Sequence, residues 1–157
     1  MPAMGHTHRY TTTCSWTGST AVGYEAYDRT HRVTAPPAEA ELTLASDPAF
    51  RGDPALMNPE QLLVAAASSC QLLSFLAVAS RARVDVRSYE DGADGVMPDD
   101  DRPMRITRIT LRPRIEVAEG PTLDRVTHLV DVAHRECFIA NSLRTDVVVE
   151  PTIAFVP

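Results

Sequence analysis

The sequence predicts an α+β domain in which one long apolar helix packs against antiparallel sheet. Three observations carry that prediction. The stretch from Asn58 to about Ala79 is the most apolar of the chain and opens with a complete helix-start signal. A second stretch, residues 122–137, repeats apolar residues at spacings of three and four. The remainder reads as short β-rich runs separated by Gly, Pro and Asp.

The elements follow in order. Residues 9–27 read as an opening hairpin. The run from Arg9 to Trp16 is rich in β-branched and aromatic residues, Thr17-Gly18-Ser19 supplies a turn, and a second strand is expected from about Thr20 to Tyr27. Cys14 lies in the first of these strands, where a lone cysteine is most simply a small packing residue. Ala35-Pro36-Pro37 breaks the chain, and Glu41 to Ala45 reads as a third strand. A loop rich in Pro, Asp and Gly, Ser46 to Met57, leads to the long helix. There Asn58 suits the N-cap, Pro59 the first helical position, and Gln61 the closing position of a capping box. Between Leu62 and Ala79 the polar residues are Ser68, Ser69, Gln71 and Ser74. A helix apolar nearly all round belongs in a core.

After the helix, Arg83 to Tyr89 alternates polar and apolar, as a half-buried strand does. Asp91-Gly92 and Asp94-Gly95 mark turns. Ile109, Leu111, Ile115 and Val117 share one parity, which predicts a single long strand with a basic outer face. Ile106 is out of step, predicting a bulge near Thr107, and Pro113 predicts an edge or an irregularity. Thr122 is a plausible cap for the second helix, whose apolar stripe of Leu123, Val126, Val130 and Ala133 ends at Cys137. Residues 146–150 and 152–156 close the chain as strands.

With 157 residues and no repeat or linker, the chain is expected to form a single domain, residues 1–157. Its composition, 44% apolar and 23% charged, is that of an ordinary globular protein. A net charge of −6 argues against nucleic acid as a partner. The segment Met1 to Tyr10 has no apolar leader core, and the Ser and Gln residues of the long helix argue against a membrane span, so a cytoplasmic location is expected. Thiols are kept reduced there, and a disulfide that forms is catalytic or redox-sensing. Three cysteines, Cys14, Cys70 and Cys137, are too few and too scattered for a zinc site.

Two cysteines therefore fall on apolar helix faces. Read from the residues alone, they are either packing residues or a reactive pair. A thiol of ordinary pKa, about 8.5, is only a few per cent thiolate at neutral pH, so a reactive Cys70 needs a cation nearby. All 15 basic residues are Arg, which leaves Arg or His to supply it. Arg51, among small turn residues near the helix start, is equally compatible with a solvated charge and with a cation aimed inward. Glu60 is the carboxylate at the helix start. Ten residues of straight helix place it about 15 Å from Cys70, so either the helix breaks early or Glu60 serves another subunit. His134 lies three residues before Cys137, where a solvent-facing or capping role competes with tuning of that thiol.

The run Asn58-Pro59-Glu60-Gln61-Leu62-Leu63, the Ala-rich turn after it and Ser69-Cys70 resemble the signature of the OsmC/Ohr family of cysteine-dependent peroxidases. Cys137-Phe138-Ile139-Ala140-Asn141-Ser142 resembles that family's second-cysteine motif. The resemblance implies an OsmC-like fold, with antiparallel sheets on a buried central helix, in an intertwined homodimer whose sites lie at the subunit boundary. It implies that Cys70 attacks an organic hydroperoxide, that Cys137 resolves the sulfenic acid as a disulfide, and that an external dithiol, such as one of lipoyl type, reduces it. Glu60 would orient an activating arginine. No cofactor or metal is implied.

The sequence departs from the Ohr branch in two places. The turn that carries that branch's arginine is here Thr17-Gly18-Ser19-Thr20 and has none, and Gln71 replaces the aromatic residue usual after the cysteine. The stretches Tyr27 to His31 and Phe50 to Asp53 look more like a less characterised branch. Arg29 or, ranked behind it, Arg51 would take the arginine's place. The rival readings are a binding protein for a small hydrophobic ligand and a thiol redox sensor on the same fold.

Overall fold

The computed structural model describes residues 5–157; residues 1–4, part of the stretch read for a leader, lie outside it. The chain forms two compact units divided between Pro59 and Glu60.

The first unit is built on a three-stranded antiparallel sheet, β1 (Thr13–Ser15), β2 (His31–Thr34) and β3 (Leu42–Leu44), in the order β1-β2-β3. The expected hairpin within residues 9–27 does not form. Instead β1 pairs with β2, placing Cys14 opposite Val33. Thr20–Val22 is a 3-10 helix whose first turn is capped by Ser19, the side-chain oxygen accepting from the Ala21 amide at 3.2 Å. Gly23 ends it at φ 93°, a backbone angle that glycine adopts freely. Local capping thus outweighs β propensity in this stretch. Cys14 is exposed, which corrects its reading as a packing residue.

Before the long helix, Asp47 caps the 3-10 helix Pro48–Phe50 by accepting from the Ala49 amide at 2.7 Å. Gly52 then closes the loop, its amide donating to the Asp47 carbonyl at 3.1 Å. A Cβ at position 52 would stand 1.5 Å from the Ser46 carbonyl oxygen, so only glycine fits.

The second unit begins with α1 (Pro59–Arg81), which starts at the predicted proline and runs 23 residues without a break. By length and composition alone α1 could cross a membrane. Its inner side, however, fills the core with Ala67, Gln71, Phe75, Val78 and Ala79. The other side is not covered within one chain: Leu73 is 64% exposed and Leu76 39%. The expectation of a helix buried all round is corrected to this extent.

Two three-stranded sheets complete the unit. One has the order β4 (Val86–Asp91), β7 (Pro113–Ala118), β9 (Thr152–Val156); the other is β5 (Asp94–Val96), β6 (Arg108–Leu111), β8 (Asp146–Val149). The pairs β4·β7 and β5·β6 are antiparallel, but β6·β8 and β7·β9 are parallel, so the sheets are mixed, not wholly antiparallel as expected. The single long strand expected through residues 109–117 is two strands in different sheets, divided at Arg112. Parity does not reveal the switch, because Ile109, Leu111, Ile115 and Val117 are all buried on either side of it. Pro113 sits at the first position of the central strand β7, where the chain changes sheets. The bulge expected near Thr107 lies instead in β4, between Val86 and Ser88.

Helix α2 (Leu123–Glu136) is capped as predicted by Thr122, whose hydroxyl accepts from the Arg125 amide at 3.2 Å. Its buried residues Val126, Leu129, Val130 and Ala133 join Phe75, Val78 and Ala79 of α1 and Ile115 and Val117 of β7 in one core cluster. A second cluster joins Ala67 of α1 to Ile106, Ile109, Leu111 and Val147. Cys137 follows α2 directly and leads into the four-residue helix α3 (Phe138–Asn141).

Candidate active site

Cys70 and Cys137, 67 positions apart, meet in the second unit. Cys70 is half-buried in the middle of α1, and Cys137 is 1% exposed at the junction of α2 and α3. Both are free thiols, and the Cys70 thiol is a neighbour of Cys137 close enough to act on its ionisation. The junction is held by backbone and side chain together. The Cys137 amide donates to the His134 carbonyl at 3.2 Å. Asn141 donates from its side-chain amide to the carbonyls of Cys137 (3.0 Å) and Arg135 (2.9 Å), which fixes the turn that carries the thiol.

Burial pushes the Cys137 thiol up from its ordinary pKa. The Ala140 amide facing the sulfur pulls it back, the neighbouring Cys70 thiol raises it further, and the Ile139 amide again lowers it. In the resting protein Cys137 is therefore a thiol that needs help to ionise.

Gln71, next to Cys70, is fully buried. Its amide nitrogen donates to the Val130 carbonyl of α2 at 3.4 Å, and its oxygen has no partner among the described residues. Ser68, two residues before Cys70, donates to the Asp91 carboxylate, whose other oxygen accepts the Arg112 amide at 2.6 Å. This ties the middle of α1 to the point where the chain switches sheets. Tyr89 of β4 packs its ring on Phe75, centroids 5.9 Å apart, with its hydroxyl buried, and that burial pushes the phenol above its ordinary pKa. Sequence reasoning missed Ser68, Tyr89 and Asp91. Plain alternation along 83–89 turns Ser88 inward. The bulge reverses the parity, leaving Ser88 exposed and setting Tyr89 opposite buried Ile115.

Of the other sequence candidates, Glu60 shares the second unit with this pair, and Arg29 and Arg51 lie in the first unit. Glu60 lies in the first turn of α1, and because α1 is continuous from Pro59 to Arg81 the same chain's Glu60 is about 15 Å along the axis from Cys70. Within the first unit, Arg29 donates to the carbonyls of Tyr27 (2.7 Å) and Tyr24 (2.6 Å) and lies 3.8 Å from the Tyr27 ring centroid. Arg51, at a left-handed φ of 69°, pairs with Glu25. His134 is half-buried, its ring Nδ1 buried without a partner among the described residues. Among the described residues no three His, Cys, Asp or Glu side chains converge on a common point suited to a metal ion.

Comparison with known families decides the lineage. Residues 52–152 match the family model described as OsmC-like protein. The chain belongs to the OsmC-like family. The match spans Glu60, Cys70 and Cys137 and begins one residue after Arg51. An OsmC-like protein of unknown function from Vibrio cholerae has the same architecture, with a TM-score of 0.84 and 29% identity over 93% of this chain and 100% of that one. The organic hydroperoxide resistance protein OsmC of Legionella pneumophila aligns with a TM-score of 0.65 and 20% identity over 94% of this chain and 99% of that one. An organic hydroperoxide resistance protein of Elizabethkingia anophelis gives 0.68 and 19% over 96% and 100%. Curated protein sequences give no significant match. The OsmC-like fold read from the sequence is thus the fold of the chain.

Proposed function

We propose that this OsmC-like protein is a thiol peroxidase that reduces organic hydroperoxides to alcohols through Cys70 and Cys137. The observation that carries the reading is the meeting of two free thiols from α1 and the α2–α3 junction, one half-buried and one buried. Packing alone does not require two cysteines from distant elements to face each other. The Legionella and Elizabethkingia proteins, named for organic hydroperoxide resistance, share the fold and support the same reading.

In this reading the Cys70 thiolate attacks the terminal oxygen of the hydroperoxide. The O–O bond breaks, the alcohol leaves with a proton, and Cys70 becomes a sulfenic acid. Cys137 displaces its oxygen as water and closes a disulfide, which an external dithiol, such as one of lipoyl type, reopens. Of the residues one turn from Cys70 on α1, Ala66, Ala67 and Leu73 are apolar, which favours an organic substrate over hydrogen peroxide.

A homodimer is part of the proposal. The apolar outer side of α1, with Leu73 and Leu76 exposed, needs a cover, and a second copy supplies it. A second copy also answers the question of reach. The same chain's Glu60 is too far along α1 to serve Cys70, so the carboxylate and the activating arginine, Arg29 or Arg51, are assigned to a site shared between subunits.

The test is consumption of cumene hydroperoxide and of hydrogen peroxide with a dithiol reductant, for wild type, Cys70→Ser and Cys137→Ser. The proposal expects turnover by wild type, none by Cys70→Ser, and one equivalent at most from Cys137→Ser. A silent wild type with both thiols free in excess hydroperoxide would reject it.

A further inference from the structure

Asn141 sits astride the break between α2 and α3. Helix α2 stops because Cys137 takes extended backbone angles, φ −67° and ψ 111°, which turn the chain into α3. The last four carbonyls of a helix have no partner within it. At this end the His134 carbonyl accepts the Cys137 amide at 3.2 Å, and the Arg135 carbonyl accepts the Asn141 side-chain amide at 2.9 Å. The same side-chain nitrogen donates to the Cys137 carbonyl at 3.0 Å, which also accepts the Asn141 main-chain amide at 3.0 Å. Carbonyl oxygens only accept, so it is the nitrogen end of the Asn141 amide that faces both. One side chain thus ties the last turn of α2 to the backbone of the residue that carries the sulfur, and ties both to α3.

We propose that Asn141 is a positioning residue for the disulfide-closing step, holding the Cys137 backbone at the α2–α3 break in the orientation that closure with Cys70 requires. The idea rests on the peroxidase reading for its purpose. In that step Cys137–SH and Cys70–SOH give the S–S bond and water. The S–O bond breaks, the Cys137 proton leaves with the hydroxyl oxygen, the Cys137 sulfur is oxidised and the Cys70 sulfur reduced. The organic hydroperoxide that made the sulfenic acid is the oxidant. Closure is favoured by how completely the two sulfurs are held in reacting geometry beforehand.

The need for a clamp follows from where Cys137 lies. Cys70 is in the middle of a continuous helix, whose own hydrogen bonds hold it. Cys137 lies at a break, where the helical ladder of α2 has ended and α3 is four residues long. The bond from Asn141 to the Arg135 carbonyl is exposed. Water can therefore satisfy that carbonyl when the amide is removed, but water does not hold the two carbonyls together. Loss of Asn141 should leave the fold and free the junction.

The test has two parts. In a Cys14→Ser protein the pair is equilibrated with glutathione, in which the protein dithiol and glutathione disulfide give the protein disulfide and two glutathione thiols. Asn141→Ala removes the side-chain donor. Asn141→Asp keeps the shape but at neutral pH turns acceptors toward both carbonyls. Each is expected to lower the equilibrium constant for closure about tenfold, the scale of one or two hydrogen bonds. A residue that merely supports the fold would destabilise the reduced and disulfide forms equally in urea and leave this constant unchanged, which would overturn the proposal. In the second part, rapid quenching follows one equivalent of cumene hydroperoxide. Both variants are expected to form the Cys70 sulfenic acid at the wild-type rate and to close the disulfide about tenfold more slowly. Equal slowing of the two steps would contradict the proposal. If the hydroperoxide never oxidises Cys70, the peroxidase reading fails, while the glutathione equilibrium still decides the role of Asn141.

Discussion

Replacing Gln71 with Met should make the reduced protein more stable. Gln71 is fully buried, and its oxygen has no partner among the described residues. Its nitrogen reaches the Val130 carbonyl at 3.4 Å, at the long limit for such a bond. That carbonyl lies inside α2 and keeps its helical bond from the residue four positions on, so deleting the amide strands nothing on the other side. A buried unsatisfied polar group costs roughly 1–3 kcal/mol, whereas a swap to a residue of similar length and volume costs under about 1.5 kcal/mol. The balance favours Gln71→Met by about 1–2 kcal/mol, or about 2–8 °C in melting temperature for a chain of this size. Urea unfolding of the reduced protein, at matched protein concentration, reads it as a higher midpoint with an unchanged slope. A loss of more than about 1 kcal/mol would refute the reasoning, because the amide would then have to be fully paired in the folded protein.

Other consequences follow from particular contacts. Folded Cys137 binds its proton more tightly than the unfolded chain does, chiefly through burial, so the folded state holds more protons once pH passes the unfolded thiol value of about 8.5. Stability of the reduced protein should be level below that pH and fall above it. Denaturation across pH 7–10 should show a shallower fall for Cys137→Ser. Gly52→Ala forces a Cβ onto the Ser46 carbonyl and should cost about 2 kcal/mol or more, whereas Gly92→Ala meets open space; thermal melts of the two variants make the comparison. Asp91→Ala strands the Ser68 hydroxyl and the Arg112 amide and should cost about 2 kcal/mol, with Asp91→Asn losing less because one acceptor oxygen remains.

The two main helices were legible because their signals are local. Pro59 opens α1 and Thr122 caps α2 where the sequence places them. The strand pairings were not legible, because they are set by distant partners. The β propensity of residues 20–27 suggested a hairpin, yet Ser19 and Gly23 turn that stretch into a 3-10 helix and a turn. Parity carried through Arg112 unbroken, since both sheets bury the same alternate positions, and so one strand was read where there are two. The parallel pairs β6·β8 and β7·β9 join segments separated by α2 and leave no mark in either segment. At the site, Cys70 and Cys137 were marked by motif, but their meeting is a product of the packing of α1 and α2. Tyr89 was hidden by the bulge, which reverses the alternation that would otherwise point it outward.

The central claim is that a hydroperoxide joins the two facing thiols, and the most direct test is peptide mapping by mass spectrometry. The reduced protein is treated with one equivalent of cumene hydroperoxide and free thiols are blocked before digestion. The account predicts a single linked species in which the peptides of Cys70 and Cys137 are joined and Cys14 is blocked as a free thiol. Recovery of Cys70 and Cys137 both as free thiols, or a Cys70 oxidised onward while Cys137 stays free, would contradict it.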